Sequence, residues 1–150
     1  MTSIVPTFAY KQETIAFVEN GLWAGKRQFG ACTALGFANE QEGLVAGFIY
    51  HNYDPAAGVI EVSGYSTRRD WCNKRRLKTL FDYPFNHVGV RLVAARHSEH
   101  NTRVRRIWRS LGATETLIPD MWGPDEAEAV IVLKRETWKN SKLIGPQSHG

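Results

Sequence analysis

Little in this 150-residue chain points to a membrane, a metal centre or a disulfide framework. No run of ~18 or more apolar residues occurs, so no membrane-spanning helix is expected and no membrane partner. The opening residues, MTSIVPTFAYKQE, lack a charged segment followed by an apolar one, so no signal peptide is expected. Cys32 and Cys72 are the only cysteines and have neither metal-type nor disulfide spacing; they read as two reduced thiols in a cytosolic protein. His97 and His100 flank Glu99 in an H-x-x-H, but a third firm ligand is missing and the pattern is not H-E-x-x-H, so no metal is expected. A G-x-S-x-G elbow, a Walker loop and a Rossmann glycine fingerprint are also missing. Repeats and low-complexity blocks are absent, and the length suits one domain over 1–150.

What is present argues for a packed core: 43% hydrophobic residues and seventeen aromatics, counted as five Trp, five Tyr and seven Phe. The net charge of +4 hides an asymmetry. Between Arg68 and Arg109 stand twelve Lys/Arg against three acids (+9), leaving seven Lys/Arg against twelve acids (−5) elsewhere. A positive middle on a mildly acidic body suggests an anionic ligand, with nucleic acid, a nucleotide cofactor and acidic lipid all open.

Periodicity gives an extended lead-in over 1–8, interrupted for helix by Pro6, then an amphipathic helix from Lys11 to near Gly25. Residues 31–40 and 44–53 read as an antiparallel hairpin turning at Gln41–Glu42–Gly43. Residues 59–85, VIEVSGYSTRRDWCNKRRLKTLFDYPF, read as strand, basic turn and helix. The turn carries Arg68, Arg69, Lys74, Arg75 and Arg76, and Leu77, Leu80 and Phe81 recur at helical spacing behind it. A strand emptying into a helix N-terminus offers free N–H groups and a positive dipole end; with five cations it suits a multiply charged anion, most simply a pyrophosphate. A strand is expected over 89–96, a helix over 102–111 stopped by Gly112, a strand over 113–117, a loop over 119–126, a last strand over 127–133 and a loose tail over 138–150. Antiparallel strands followed by a β-α-β crossover predict a mixed α/β sheet with helices on both faces.

Two stretches give the chain a family likeness. Asn101-x-x-Val104-x-x-Ile107-Trp108-x-x-Leu111-Gly112-Ala113 resembles the helix after the fifth strand of the Gcn5-related N-acetyltransferases (GNAT), and the strand–basic turn–helix stretch stands where that family has its acyl-CoA pyrophosphate loop. The element order agrees over roughly 10–135. A narrower likeness is to small GNAT-like proteins of phages and prophages: Phe29–Gly30–Ala31–Cys32, Tyr50–His51–Asn52–Tyr53, Trp71 and Phe81–Asp82–Tyr83–Pro84–Phe85. The resemblance implies a GNAT-like α/β (α+β) fold, with a mostly antiparallel sheet of six to seven strands splayed between strands four and five. It also implies acetyl-CoA or another acyl-CoA as cofactor, an amine-bearing acceptor, a homodimer as an option, and a cytoplasmic site of action (the host cytoplasm for a phage protein). Two departures stand out: the family's glycine-rich loop has no counterpart in 70–77, and Trp108 occupies a helix position that is often Tyr.

By that carry-over the main chain of Val62, Ser63 and Gly64 receives the pantetheine arm; Arg69, Lys74, Arg75, Arg76 and Leu77 form the phosphate turn, and Asn101 and Trp108 flank the cofactor. Strand alternation puts Glu61 and Ser63 on one face and Ile60 and Val62 on the other. Glu61, a carboxylate in an apolar strand, is one candidate general base, and His51 at the end of the third strand is the other. Ser63 shares the face of Glu61 in this catalytic set, and Tyr53 or Tyr65 stands in for the acid missing at Trp108. Asn101 also reads simply as an N-cap. Three functions follow: an acyl-CoA-dependent N-acyltransferase, a GNAT-like enzyme modifying DNA bases as the phage Mom protein does, or a binding module without turnover.

Overall fold

A computed structural model describes residues 3–142. Seven strands form one sheet in the order β1-β2-β3-β4-β5-β7-β6. They are β1 (Val5–Thr7), β2 (Cys32–Asn39), β3 (Gly43–Asp54), β4 (Val59–Ser66), β5 (Leu92–Ser98), β6 (Thr114–Gly123) and β7 (Glu126–Lys134). All neighbours pair antiparallel except β4 and β5, which run parallel across the crossover. The expected mixed, mostly antiparallel sheet is therefore present.

Helices cover both faces. α1 (Lys11–Trp23) buries Thr14 and Val18 against β2 and β3. It sits close because Gly47 has no side chain: a Cβ there would come within 2.8 Å of Val18. The larger core fills the opposite face, where Phe37, Phe48, Val62 and Val93 meet α2 (Lys74–Asp82), α3 (Thr102–Ser110) and Trp138 of α4 (Arg135–Lys139).

Four elements differ from expectation. The lead-in includes a paired edge strand, β1 against β2. The second helix stops as an α-helix at Asp82 and continues as a π-helical turn over Tyr83–Val88. Pro84 has no N–H to give Leu80, whose carbonyl accepts the Tyr50 hydroxyl at 2.6 Å instead. Left-handed Gly89 closes that turn, delaying β5 to Leu92. Residues 119–123, expected in a loop, extend β6: Pro119 is tolerated because β6 is an edge strand, and the ladder is irregular between Ile118 and Gly123. Finally, Trp138 is not loose. It is buried and stacks on Phe85 at 5.1 Å, α4 continues to Lys139 and Ser141 is buried, while 143–150 of the expected tail lies outside the described residues.

Candidate active site

β4 and β5 pair only through Val59–Leu92, Ile60–Val93 and Glu61–Ala94. Beyond these the strands part, and the facing edges of 62–66 and 95–98 no longer serve each other's main-chain groups. A cavity opens on each face of the sheet at the gap.

On the side of α2 and α3 lies a largely apolar cavity of about 290 Å³, walled by Phe48, Val62, Leu77, Leu80, Phe81 and Trp108, with Arg103 as a cationic lining group. Gly64 borders it because a Cβ there would strike the Phe48 ring at 2.4 Å. On the α1 side a cavity of about 660 Å³ is lined by His51, Asn52, Glu61, Ser63, Arg96 and Glu128, with Trp23, Phe29, Met121 and Trp122 as apolar walls. Leu22, Gly64, His97, Asn101 and Val104 line both, so the cavities meet in the gap.

The α1-side cavity holds a polar cluster. His51 Nε2 lies 2.9 Å from Ser63 Oγ and 3.7 Å from a Glu61 carboxylate oxygen, and Asn52 donates to Glu61 at 3.0 Å. One ring nitrogen faces both serine and acid, so this is not a relay of the Ser-His-acid kind, which uses opposite nitrogens. Burial holds the His51 imidazole below its ordinary range; Glu61 opposes that shift and Arg96 adds to it. The ring packs on Phe29 at 4.9 Å, Phe29 on Trp23 at 4.8 Å, and the Arg27 guanidinium lies 4.6 Å over Trp23. Arg96 donates twice, at 2.8 and 3.0 Å, to the buried Glu128.

His97 is reached from the other direction. The Trp108 indole N–H donates to its Nε2 at 3.2 Å, and burial pushes the imidazole down to about 4. Asn101 stands at the N-terminus of α3 but makes no side-chain cap bond, contrary to the simple capping account, so its carboxamide is left at the meeting of the two cavities.

The basic turn divides. Arg76 is engaged inside the protein, donating to the carbonyls of Asp70 at 3.0 Å and Ile4 at 3.2 Å, which takes its guanidinium away from the phosphate role expected of it. Arg68 pairs with Glu42 and Asp70. Arg69, Lys74 and Arg75 are exposed. Asn73 caps α2 by accepting from the Arg76 N–H at 2.9 Å, leaving the N–H groups of Lys74 and Arg75 as first-turn donors. Leu77 in the same turn lines the apolar cavity.

Of the expected catalytic set, His51, Glu61 and Ser63 are together. Tyr53 is not among them: it is 49% exposed on the far side of the irregularity between His51 and Asp54 and lines neither cavity. Tyr65 lines only the apolar cavity, its ring against Phe17 at 5.6 Å. Sequence reasoning considered His97 only as a metal ligand. Alternation along β5 could have placed it with Val93 and Ala95 on the face that meets α3. The Arg96–Glu128 pair had no local signal, since the two are 32 positions apart.

No protein-family model matches the chain, and no curated protein matches it. Solved structures do. The spermidine/spermine N-acetyltransferase SpeG of Vibrio cholerae superimposes with a TM-score of 0.71 at 8% identity, over 93% of this chain and 98% of that one. A protein assigned as a phosphinothricin N-acetyltransferase gives 0.68 at 15% identity, over 88% and 98% of the two chains. An Acinetobacter baylyi ADP1 protein assigned as an acetyltransferase gives 0.67 at 13%, over 89% and 93%. The chain has the fold of the Gcn5-related N-acetyltransferases, including the parting of β4 from β5.

Proposed function

We propose that the protein is an N-acyltransferase that takes an acyl group, most simply acetyl, from coenzyme A and passes it to an amine. The observation that carries this reading is the pair of cavities meeting through the β4–β5 gap. A long thioester arm and an amine can approach one point from opposite faces, which meets the positional demand of a two-substrate transfer. SpeG and the other neighbours are named as acetyltransferases, which supports the reading.

The residues suit the cofactor. The apolar cavity accepts an uncharged arm, the free edge at Val62, Ser63 and Gly64 offers main-chain partners, and Asn101 has an uncommitted amide. Arg69, Lys74, Arg75 and the first turn of α2 serve the phosphates, with Arg103 beside them; the absent glycines matter less because the donors are helix N–H groups and side chains. Acetyl-CoA supplies an acyl group activated as a thioester. His51, neutral at pH 7, accepts the proton of the attacking amine through Nε2 as the C–N bond forms and the C–S bond breaks, and Glu61 stabilises the resulting imidazolium. Ser63 holds the ring in place.

The acceptor is read as a small amine. A DNA base would draw on the cationic excess of 68–109, but Arg68, Arg76, Arg91, Arg96 and Arg105 donate to acceptors within the protein, and Arg109 lies 4.0 Å from the Glu115 carboxylate. Salt-sensitive duplex binding would restore the DNA reading.

The test is isothermal titration with acetyl-CoA. Reversing Lys74 and Arg75 to Glu is expected to weaken binding about 100-fold, two charge-assisted contacts at about 1.5 kcal/mol each. Arg76→Glu should instead lower the melting temperature, because it unfastens the turn from Ile4, the residue before β1. Equal affinity of wild type and the Lys74→Glu/Arg75→Glu protein would remove the phosphates from this turn.

A further inference from the structure

The proposed reaction leaves a thiolate to be stabilised, and Trp108, a wall of the apolar cavity, gives its indole N–H to His97. That bond has a consequence for the imidazole. A ring nitrogen that accepts a hydrogen bond cannot carry the proton, so a neutral His97 with Nε2 occupied as acceptor must be protonated on Nδ1. A protonated ring would set N–H against N–H, so the indole also favours the neutral form. Burial acts in the same direction, and the nearest opposing charge, Glu115, is already held by Arg105 at 2.6 Å and approached by Arg109 at 4.0 Å.

The Nδ1–H has no acceptor among the described residues, and His97 is not among the fully occluded groups left unsatisfied, which are the Trp71 and Trp138 indoles. Among the described residues His97 is the one titratable side chain lining both cavities, and it does so at their junction, where in the proposed reaction arm and amine meet. An N–H donor without a protein partner among the described residues thus belongs to a residue at that junction.

We propose that His97, its tautomer set by Trp108, donates a hydrogen bond from Nδ1 to the sulfur of the departing thiolate. The inference rests on the acyl-transfer reading. The sulfur leaves with the bonding electron pair; His97 keeps its proton and lends only the N–H dipole, while the amine's proton goes to His51 and then to solvent, from which the thiolate is later protonated. His97 touches the leaving atom, and Trp108 is a positioning residue. Such a hydrogen bond stabilises the charge on sulfur without transferring a proton.

Free coenzyme A, bound to the protein and titrated by the difference absorbance of its thiolate, tests this without any acceptor amine. In the wild type the bound thiol should ionise about tenfold more readily than in solution, a shift of about one pKa unit. His97→Phe should abolish the shift while coenzyme A still binds. His97→Asn, whose amide reaches the Nδ1 position, should restore part of it. Trp108→Phe keeps the packing against Phe81, frees the tautomer and should shrink the shift; together with His97→Asn it decides the matter if His97→Phe does not fold. A thiol that titrates alike in wild type, His97→Phe and Trp108→Phe overturns the role of His97 and leaves the acyl-transfer reading standing. A wild type that does not bind coenzyme A overturns that reading, and this role with it.

Discussion

Replacing His51 with alanine is expected to lower kcat for acyl transfer about 100-fold or more, with little change in acetyl-CoA affinity, because a positioned base contributes a factor of this order and the ring lines only the amine-side cavity. The pH profile gives the sharper check. His51 must be neutral to accept a proton, so activity falls as the pH drops through its pKa, and burial places that acid limb below the ordinary value of 6.5. Glu61 raises the His51 pKa and Arg96 lowers it. Glu61→Gln should therefore move the limb to still lower pH, whereas loss of Arg96 should move it up. An acid limb unmoved by Glu61→Gln would show that the titrating group is not His51, and a kcat unaffected by His51→Ala would remove it from the chemistry.

The second large effect concerns stability, and its direction is asymmetric. Glu128 is 4% exposed along its side chain and Arg96 54%. Arg96→Ala leaves a buried carboxylate without its partner. Breaking a buried pair costs about 3–5 kcal/mol, which the exposed half of Arg96 discounts to about 2–3 kcal/mol through solvent screening. For a chain of this length the melting temperature should fall by about 5–10 °C. Glu128→Gln keeps an acceptor for the guanidinium and releases Arg96 to water, so it should cost about 1 kcal/mol. Calorimetry on the two variants decides the point: equal losses would mean that Glu128 is better hydrated than its burial implies.

Much of the fold was legible because it depends on local periodicity. The run Leu77, Leu80, Phe81 reads as a helix face in sequence and is buried in α2. The alternation of Ile60 and Val62 with Glu61 and Ser63 reads as two faces of a strand and separates the main core from the polar cluster. The misplaced boundaries depend on partners remote in sequence. Where α2 becomes a π-helical turn is set jointly by Pro84 and by Tyr50, 30 positions before Leu80. The strand status of 119–123 depends on β6 being an edge, which periodicity does not report.

The site shows the same division. His51, Glu61 and Ser63 were candidates by residue type and strand face, and the β3–β4 register brings them together by pairing His51 with Glu61. Tyr53 was as plausible by type, but the ladder breaks just before it. Arg76 and Arg75 are adjacent and chemically alike; only the approach of β1 to the turn assigns one to holding the fold and leaves the other exposed. Side-chain type and backbone period are enough to settle which faces of the elements are apolar, where the helices begin, and which chemical groups are available. Which cations remain free, that β4 and β5 part after Glu61, and that the Trp108 indole reaches His97 follow only from the tertiary structure, because each depends on atoms brought together from separate stretches of chain.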